Sequence, residues 1–207
     1  MIINIRGTNG SGKTTLARQL IGPDAQPIDL VQYTSPTKRE PERQRFVEGW
    51  GSAGPGSFLA VGSYKQGCGG MDTIPSFELQ QQAVRVAAQW EKNGRPITGD
   101  RPEHVICEGV LASTVAGSWL EFFRHFPAGG HNVLIAYLDT PLELCLERIT
   151  ARQIAAKGEA REIKVDQVRD KVRAIEATRA KFDAAGIRTV TLRHDAAQAD
   201  LMEVLRG

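Results

Sequence analysis

Near its start the chain reads Gly7-Thr8-Asn9-Gly10-Ser11-Gly12-Lys13-Thr14, between an apolar-leaning Ile2-Ile3-Asn4-Ile5-Arg6 and an amphipathic Thr15-Leu16-Ala17-Arg18-Gln19-Leu20-Ile21. Strand, glycine turn and helix in that order are the context a phosphate-binding P-loop requires. Glycines let successive N–H groups turn inward without a Cβ clash, and the helix N-terminus adds positive potential. The stretch Asn9, Gly10, Ser11, Gly12, Lys13, Thr14 and Thr15 is therefore expected to wrap a nucleoside triphosphate. Lys13 would reach the β- and γ-phosphates, and the Thr14 hydroxyl would ligate Mg²⁺.

The 207 residues suffice for one α/β domain with a sizeable core. A net charge of +2 is too small to imply nucleic-acid binding by itself. Cys68, Cys107 and Cys145 are odd in number and lack C-x-x-C spacing, which argues against a zinc site or a disulfide framework. Cys107 and Cys145 sit in apolar runs, whereas Cys68 lies in a glycine loop. The N-terminus enters a strand directly, with no secretory pattern and no stretch of membrane-spanning length. The expectation is a soluble protein in a reducing cytosol.

Apolar runs at 28–31, 58–61, 105–109, 132–138 and 187–192 read as strands. Helices are expected at 76–93, from Val115 through Phe126, after Thr140-Pro141-Leu142-Glu143 as a capping box, over 164–184 and at 200–205. The polar, proline-broken and glycine-rich segment 33–57 reads as a surface insertion, not a domain. Alternating strands and helices predict an α/β fold, a doubly wound parallel sheet with helices on both faces, in a single domain over 1–207. In such a sheet the ligand lies at the carboxyl ends of the strands. The P-loop, the loop at 62–75, Glu108 and the start of the 140s helix would then share one cleft.

Phosphoryl transfer requires positioning and charge neutralisation more than covalent chemistry. Arg148 and Arg152 stand four apart on one helix face and would reach one phosphoryl group, at the start of a lid-like segment at about 148–164. Glu108 ends a buried strand, where it would hold Mg²⁺ or accept a hydroxyl proton. Asp72, after the paired glycines Gly69 and Gly70, is the other candidate base, and Tyr64 and Lys65 upstream are candidates for contact with a phosphate or a base. Lys38, Arg39, Arg43 and Arg45 lie among Tyr33, Phe46 and Trp50, a mixture suited to single-stranded or flipped nucleic acid; Glu40, Glu42 and Glu48 dilute it toward an ordinary solvated loop. The His194-Asp195 turn is a candidate contact for adenine.

The P-loop, the acid-ended strand through Glu108 and the helix Leu146-Glu147-Arg148-Ile149 to Arg152 resemble those of the P-loop nucleotide and nucleoside kinases. The segment Cys68-Gly69-Gly70-Met71-Asp72-Thr73-Ile74 is more telling. It is similar to a loop of bacteriophage kinases often written Cys-Gly-Gly-Cys-Asp-Thr-Ile, with Met71 in place of the second cysteine. Among those are the 5-hydroxymethyluracil DNA kinases of thymine-hypermodifying phages. The resemblance implies ATP-dependent phosphorylation of the 5-hydroxymethyl group of a base in phage DNA, in the host cytoplasm, with Asp72 deprotonating that group. Such a base must be extruded to reach a kinase cleft, and the 33–57 insertion would hold the strand. Two other readings stand beside it: a deoxynucleoside monophosphate kinase acting on free nucleotides, and a P-loop ATPase or ATP-binding interaction module.

Overall fold

The computed structural model describes residues 1–34, 43–52, 54–65, 69–126 and 132–207. Its first strand, β1 (Ile2–Arg6), is buried along its whole length and runs parallel to both neighbours, β7 (Pro102–Glu108) and β8 (Val133–Asp139). That explains why these segments are mainly apolar: a strand flanked on both faces has no wet side. Beyond β8 lies β9 (Arg188–Arg193), and beyond β7 lies β4 (Gly54–Val61), both parallel. The five form the expected core, in the order β4-β7-β1-β8-β9.

The sheet extends further than the sequence suggested. β2 (Gln26–Thr34), a longer form of the strand expected at 28–31, and β3 (Gln44–Gly51), which was not expected, complete a seven-stranded sheet at the β4 edge. β3 is antiparallel to both β2 and β4, so the sheet is mostly and not wholly parallel. The expected surface insertion at 33–57 is corrected accordingly: Gln44–Gly51 and Gly54–Val61 belong to the central sheet. Lys38, Arg39 and Cys68 lie outside the described residues.

Two cores cover the sheet. One side holds α2 (Phe77–Gln89), α3 (Val110–Thr114), α4 (Gly117–Arg124) and α6 (Val165–Ala184), with Trp119 and Phe182 fully buried. The other holds α1 (Lys13–Ile21) and α7 (Ala197–Arg206), packed through Leu16, Ala17 and Leu201. α5 (Leu142–Lys157) buries Cys145 and Ile149.

Three local expectations change. The helix expected to carry Val115 breaks there into α3 and α4, and Val115 is exposed. α2 stops at Trp90, in the left-handed conformation at φ 55°, and a small hairpin follows, β5 (Glu91–Lys92) and β6 (Arg95–Pro96). Asn93-Gly94 is its turn, a dipeptide suited to two residues of positive φ. Thr140 does not cap α5; its hydroxyl donates to the Ser11 carbonyl at 2.9 Å and ties that helix to the P-loop. Among the described residues no helix is long and apolar enough to cross a membrane.

Candidate active site

A cleft of about 940 Å³ opens at the carboxyl ends of the parallel strands. It brings together the P-loop from Asn9 to Thr15, Gly69 and Asp72, Glu108, and Arg148 with Arg152 of α5. The His194-Asp195 turn and the start of α7 close its far end.

The loop's shape depends on particular glycines. Gly10 has φ 77°, and a Cβ there would collide with the Cys145 carbonyl oxygen of α5. Gly12 has φ 100° and precedes α1, whose first N–H groups have no intrahelical acceptor and face the cleft's phosphate end. Gly10→Ala is therefore expected to destabilise the fold by at least about 1–2 kcal/mol from the left-handed backbone alone, with the collision in addition. Urea unfolding of the variant measures it.

Lys13 is buried, and its Nζ donates to the Thr8 carbonyl oxygen at 3.0 Å. Burial lowers its pKa, while Glu108 and Asp72 pull it back up. Glu108 is buried too; burial raises its pKa, opposed by Lys13 and by the hydrogen bond from Thr14. Thr14 Oγ1 donates to Glu108 Oε1 at 2.9 Å, and the Tyr64 hydroxyl approaches the same oxygen at 3.4 Å. The hydroxyls of Thr8 and Ser11 are buried without hydrogen-bond partners among the described residues, in keeping with a loop built around a polar guest.

Asp72 is exposed to the cleft, but its carboxylate has structural work as well. Oδ2 accepts from Val110 N at 2.8 Å and Oδ1 from Leu111 N at 3.3 Å. The N-terminus of α3 is thus capped by Asp72. Two further lone-pair positions remain on that carboxylate.

The chain is 32% identical over 208 residues to a 5-hmdU DNA kinase of Pseudomonas phage PaMx11, covering 100% of this chain and 97% of the relative. The 5-hmdU DNA kinase of Pseudomonas phage M6 is 32% identical over 207 residues, covering 99% and 97%. The chain belongs to the 5-hmdU DNA kinase family. It is a phosphotransferase. A third 5-hmdU DNA kinase, of Bacillus phage SP10, is 27% identical over 190 residues, which are 90% of this chain and 26% of that relative. No protein-family profile matches the chain. Among solved structures, deoxyadenosine kinase from M. mycoides with bound dATP aligns over 100% of both chains at 11% identity and a TM-score of 0.38, a slight likeness.

In this member of the 5-hmdU DNA kinase family, not every residue singled out from the sequence faces the cleft. Asn9 to Thr15, Gly69, Asp72, Glu108, Arg148 and Arg152 do. Tyr64 and Lys65 do not. The Tyr64 ring is buried in the second core, behind Glu108, and Lys65 Nζ pairs with Glu48 at 2.6 Å over on β3. Gly70 backs Glu108, where a Cβ would meet the carboxylate, so its role is close packing. Arg148 Nη1 donates to the Gly10 carbonyl oxygen at 3.3 Å, holding the α5 arginine on the P-loop. After Lys157 the chain turns through Gly158, at φ 79°, into the exposed segment expected as a lid.

Sequence reasoning passed over Arg6. Its side chain is fully buried under the P-loop, stacked on the Phe182 ring at 4.4 Å. It donates to Asn4 Oδ1, to the Ser113 and Val115 carbonyls and to Thr178. Burial lowers its pKa to about 10, which still leaves it charged at neutral pH. Ser113 in turn accepts from Gly7 N at 3.3 Å, so this network fixes the take-off of the loop. An arginine ending a buried strand whose only other polar residue is Asn4 was the available signal.

Proposed function

We propose that this kinase transfers the γ-phosphate of ATP to the 5-hydroxymethyl oxygen of 5-hydroxymethyluracil in DNA, within the host cytoplasm. The observation that carries the reading is the convergence of Lys13, Thr14, Glu108, Asp72 and two arginines on one cleft. The family's name supports the acceptor.

The triphosphate would lie along the P-loop, with Lys13 beside the outer phosphates and Arg148 and Arg152 across from it. Thr14 Oγ1 and Glu108 Oε1 are two hard oxygens side by side, a fitting pair for Mg²⁺. No group of three or more His, Cys, Asp or Glu residues suited to a metal occurs among the described residues, so phosphate oxygens would complete the coordination. When bound, the cation would neutralise charge developing on those phosphates.

Glu108 is buried and bonded to Thr14, which suits the metal end. Asp72 is open to the cleft, which suits the acceptor end. In the transfer, Asp72 accepts the hydroxymethyl proton as the oxygen attacks phosphorus in line. One P–O bond forms, the bond to the β-phosphate oxygen breaks, and ADP leaves. The cations of Lys13, Arg148 and Arg152 neutralise charge on the transferring group throughout.

Arg148→Ala and Arg152→Ala are expected to lower kcat by about 10²-fold each with ATP affinity little changed. Steady-state kinetics and ATP titration check this, and wild-type kcat in both would remove these arginines from the mechanism. The reading as a whole is tested by offering labelled γ-phosphate in parallel to hydroxymethyluracil DNA, ordinary DNA and a panel of mononucleotides. Label confined to the modified DNA supports it; label on a mononucleotide alone supports a free-nucleotide kinase.

A further inference from the structure

Two hollows flank the Asp72-Thr73 turn among the described residues, and each is a candidate route for an acceptor. The smaller, about 140 Å³, lies beneath the β2–β3 edge beside Tyr33 and Phe46. Among the described residues it shares only Thr73 with the transfer cleft, and the Thr73 hydroxyl donates to the Gly70 carbonyl oxygen and accepts from Ser63 N. The larger, about 510 Å³, lies between α3 and α6. Asn9 of the P-loop, Asp72 and Val110 line both it and the transfer cleft. Its size falls in the range of a small-molecule site, roughly 300–1,000 Å³, and the other falls well below.

The lining of the larger hollow is chemically uneven. Val110, Leu111 and Ala174 give it an apolar wall, and Leu111 is 63% exposed, the most exposed large apolar side chain among the described residues. Lys171 of α6 stands at its rim, with no ion pair among the described residues. Asp170 is drawn to Arg173, at 3.6 Å. An exposed leucine beside a lysine, opening onto a carboxylate and a phosphate loop, suits a ligand with an apolar ring face, a phosphate and a hydroxyl.

We propose that the α3–α6 hollow seats the acceptor nucleotide: its base lies on Leu111 and Val110, its backbone phosphate meets Lys171, and its hydroxyl points to Asp72. This rests on the nucleic-acid kinase reading above and adds the route of entry and three residues that position the acceptor, Val110, Leu111 and Lys171. The β2–β3 hollow, despite its aromatics, then has no part in holding the reacting base.

The test measures KM for hydroxymethyluracil DNA, KM for ATP, and the salt dependence of DNA binding in Leu111→Ser, Lys171→Gln and Phe46→Ala. Leu111 is exposed and Lys171 is at a rim, and thermal melts establish that each variant is folded. Leu111→Ser and Lys171→Gln are expected to raise KM for the DNA about tenfold, with KM for ATP unchanged. Lys171→Gln should also reduce the salt slope of binding by about one, a change that a merely structural role would not produce. Phe46→Ala should match wild type. Wild-type KM for DNA in both α3–α6 variants, or a rise confined to Phe46→Ala, overturns the proposal. Should the wild type phosphorylate a mononucleotide and not DNA, the acceptor reading fails, and the same variants are scored with that mononucleotide: a raised KM sustains the entry route and an unchanged one overturns it. Absence of transfer to any nucleotide or nucleic acid overturns both.

Discussion

Lys13→Met is expected to lower kcat by about 10²–10³-fold, the scale of removing one preorganised charge from a transferring group. Lys13 is 6% exposed, is held on the Thr8 carbonyl oxygen and lies in the field of Glu108, so its ammonium is already placed and largely desolvated before a nucleotide arrives. Methionine keeps the volume and loses the charge. The single variant also leaves Glu108 buried without its cation, and breaking such an arrangement from one side costs stability. The double variant Lys13→Met/Glu108→Gln should therefore recover thermal stability while activity stays lost. Single-turnover kinetics and thermal melts on the same preparations separate the two effects. Near-wild-type kcat in a folded Lys13→Met protein would remove the lysine from transfer.

Asp72→Asn should lower transfer by about 10²–10⁴-fold, the range for loss of a positioned general base, with ATP binding unchanged. Stability should fall little, because the asparagine oxygen still accepts one of the two N–H groups at the start of α3. Asp72→Ala loses both bonds and should cost about 1 kcal/mol more, as a lost helix cap does. The pair of variants is informative because Asp72 is both tether and candidate base. Activity that follows stability through the series would make it a tether only; activity lost already in Asp72→Asn, with the fold intact, makes it the base.

Much of this was legible in the sequence because its signals are local. The P-loop is contiguous, and β1, β7 and β8 are short apolar runs buried on both faces. β3 was not legible for a physical reason. Gly49 and Gly51 read as loop residues, yet they lie within the strand: a Cβ on Gly49 would press on Leu30 and Leu59, and one on Gly51 would strike the Phe58 carbonyl. Glycine there permits close approach of neighbouring strands, and composition does not distinguish that use from a turn. The site shows the same division. Arg148 and Arg152 share a helix face by spacing, and both reach the cleft. The bonds of Asp72 to α3, of Lys65 to Glu48 and of Arg6 to Thr178 join distant segments, and no local pattern announces them.

The most direct measurement is chemical identification of the product. Hydroxymethyluracil DNA is incubated with the protein, ATP and Mg²⁺, digested with nucleases to mononucleotides without phosphatase, and analysed by mass spectrometry. A phosphate ester on the 5-hydroxymethyl oxygen of deoxyuridine is the predicted product, dependent on Asp72 and Lys13. 5-Hydroxymethyldeoxyuridine monophosphate with no second phosphate throughout, alongside phosphate transferred to a free mononucleotide, would contradict the account.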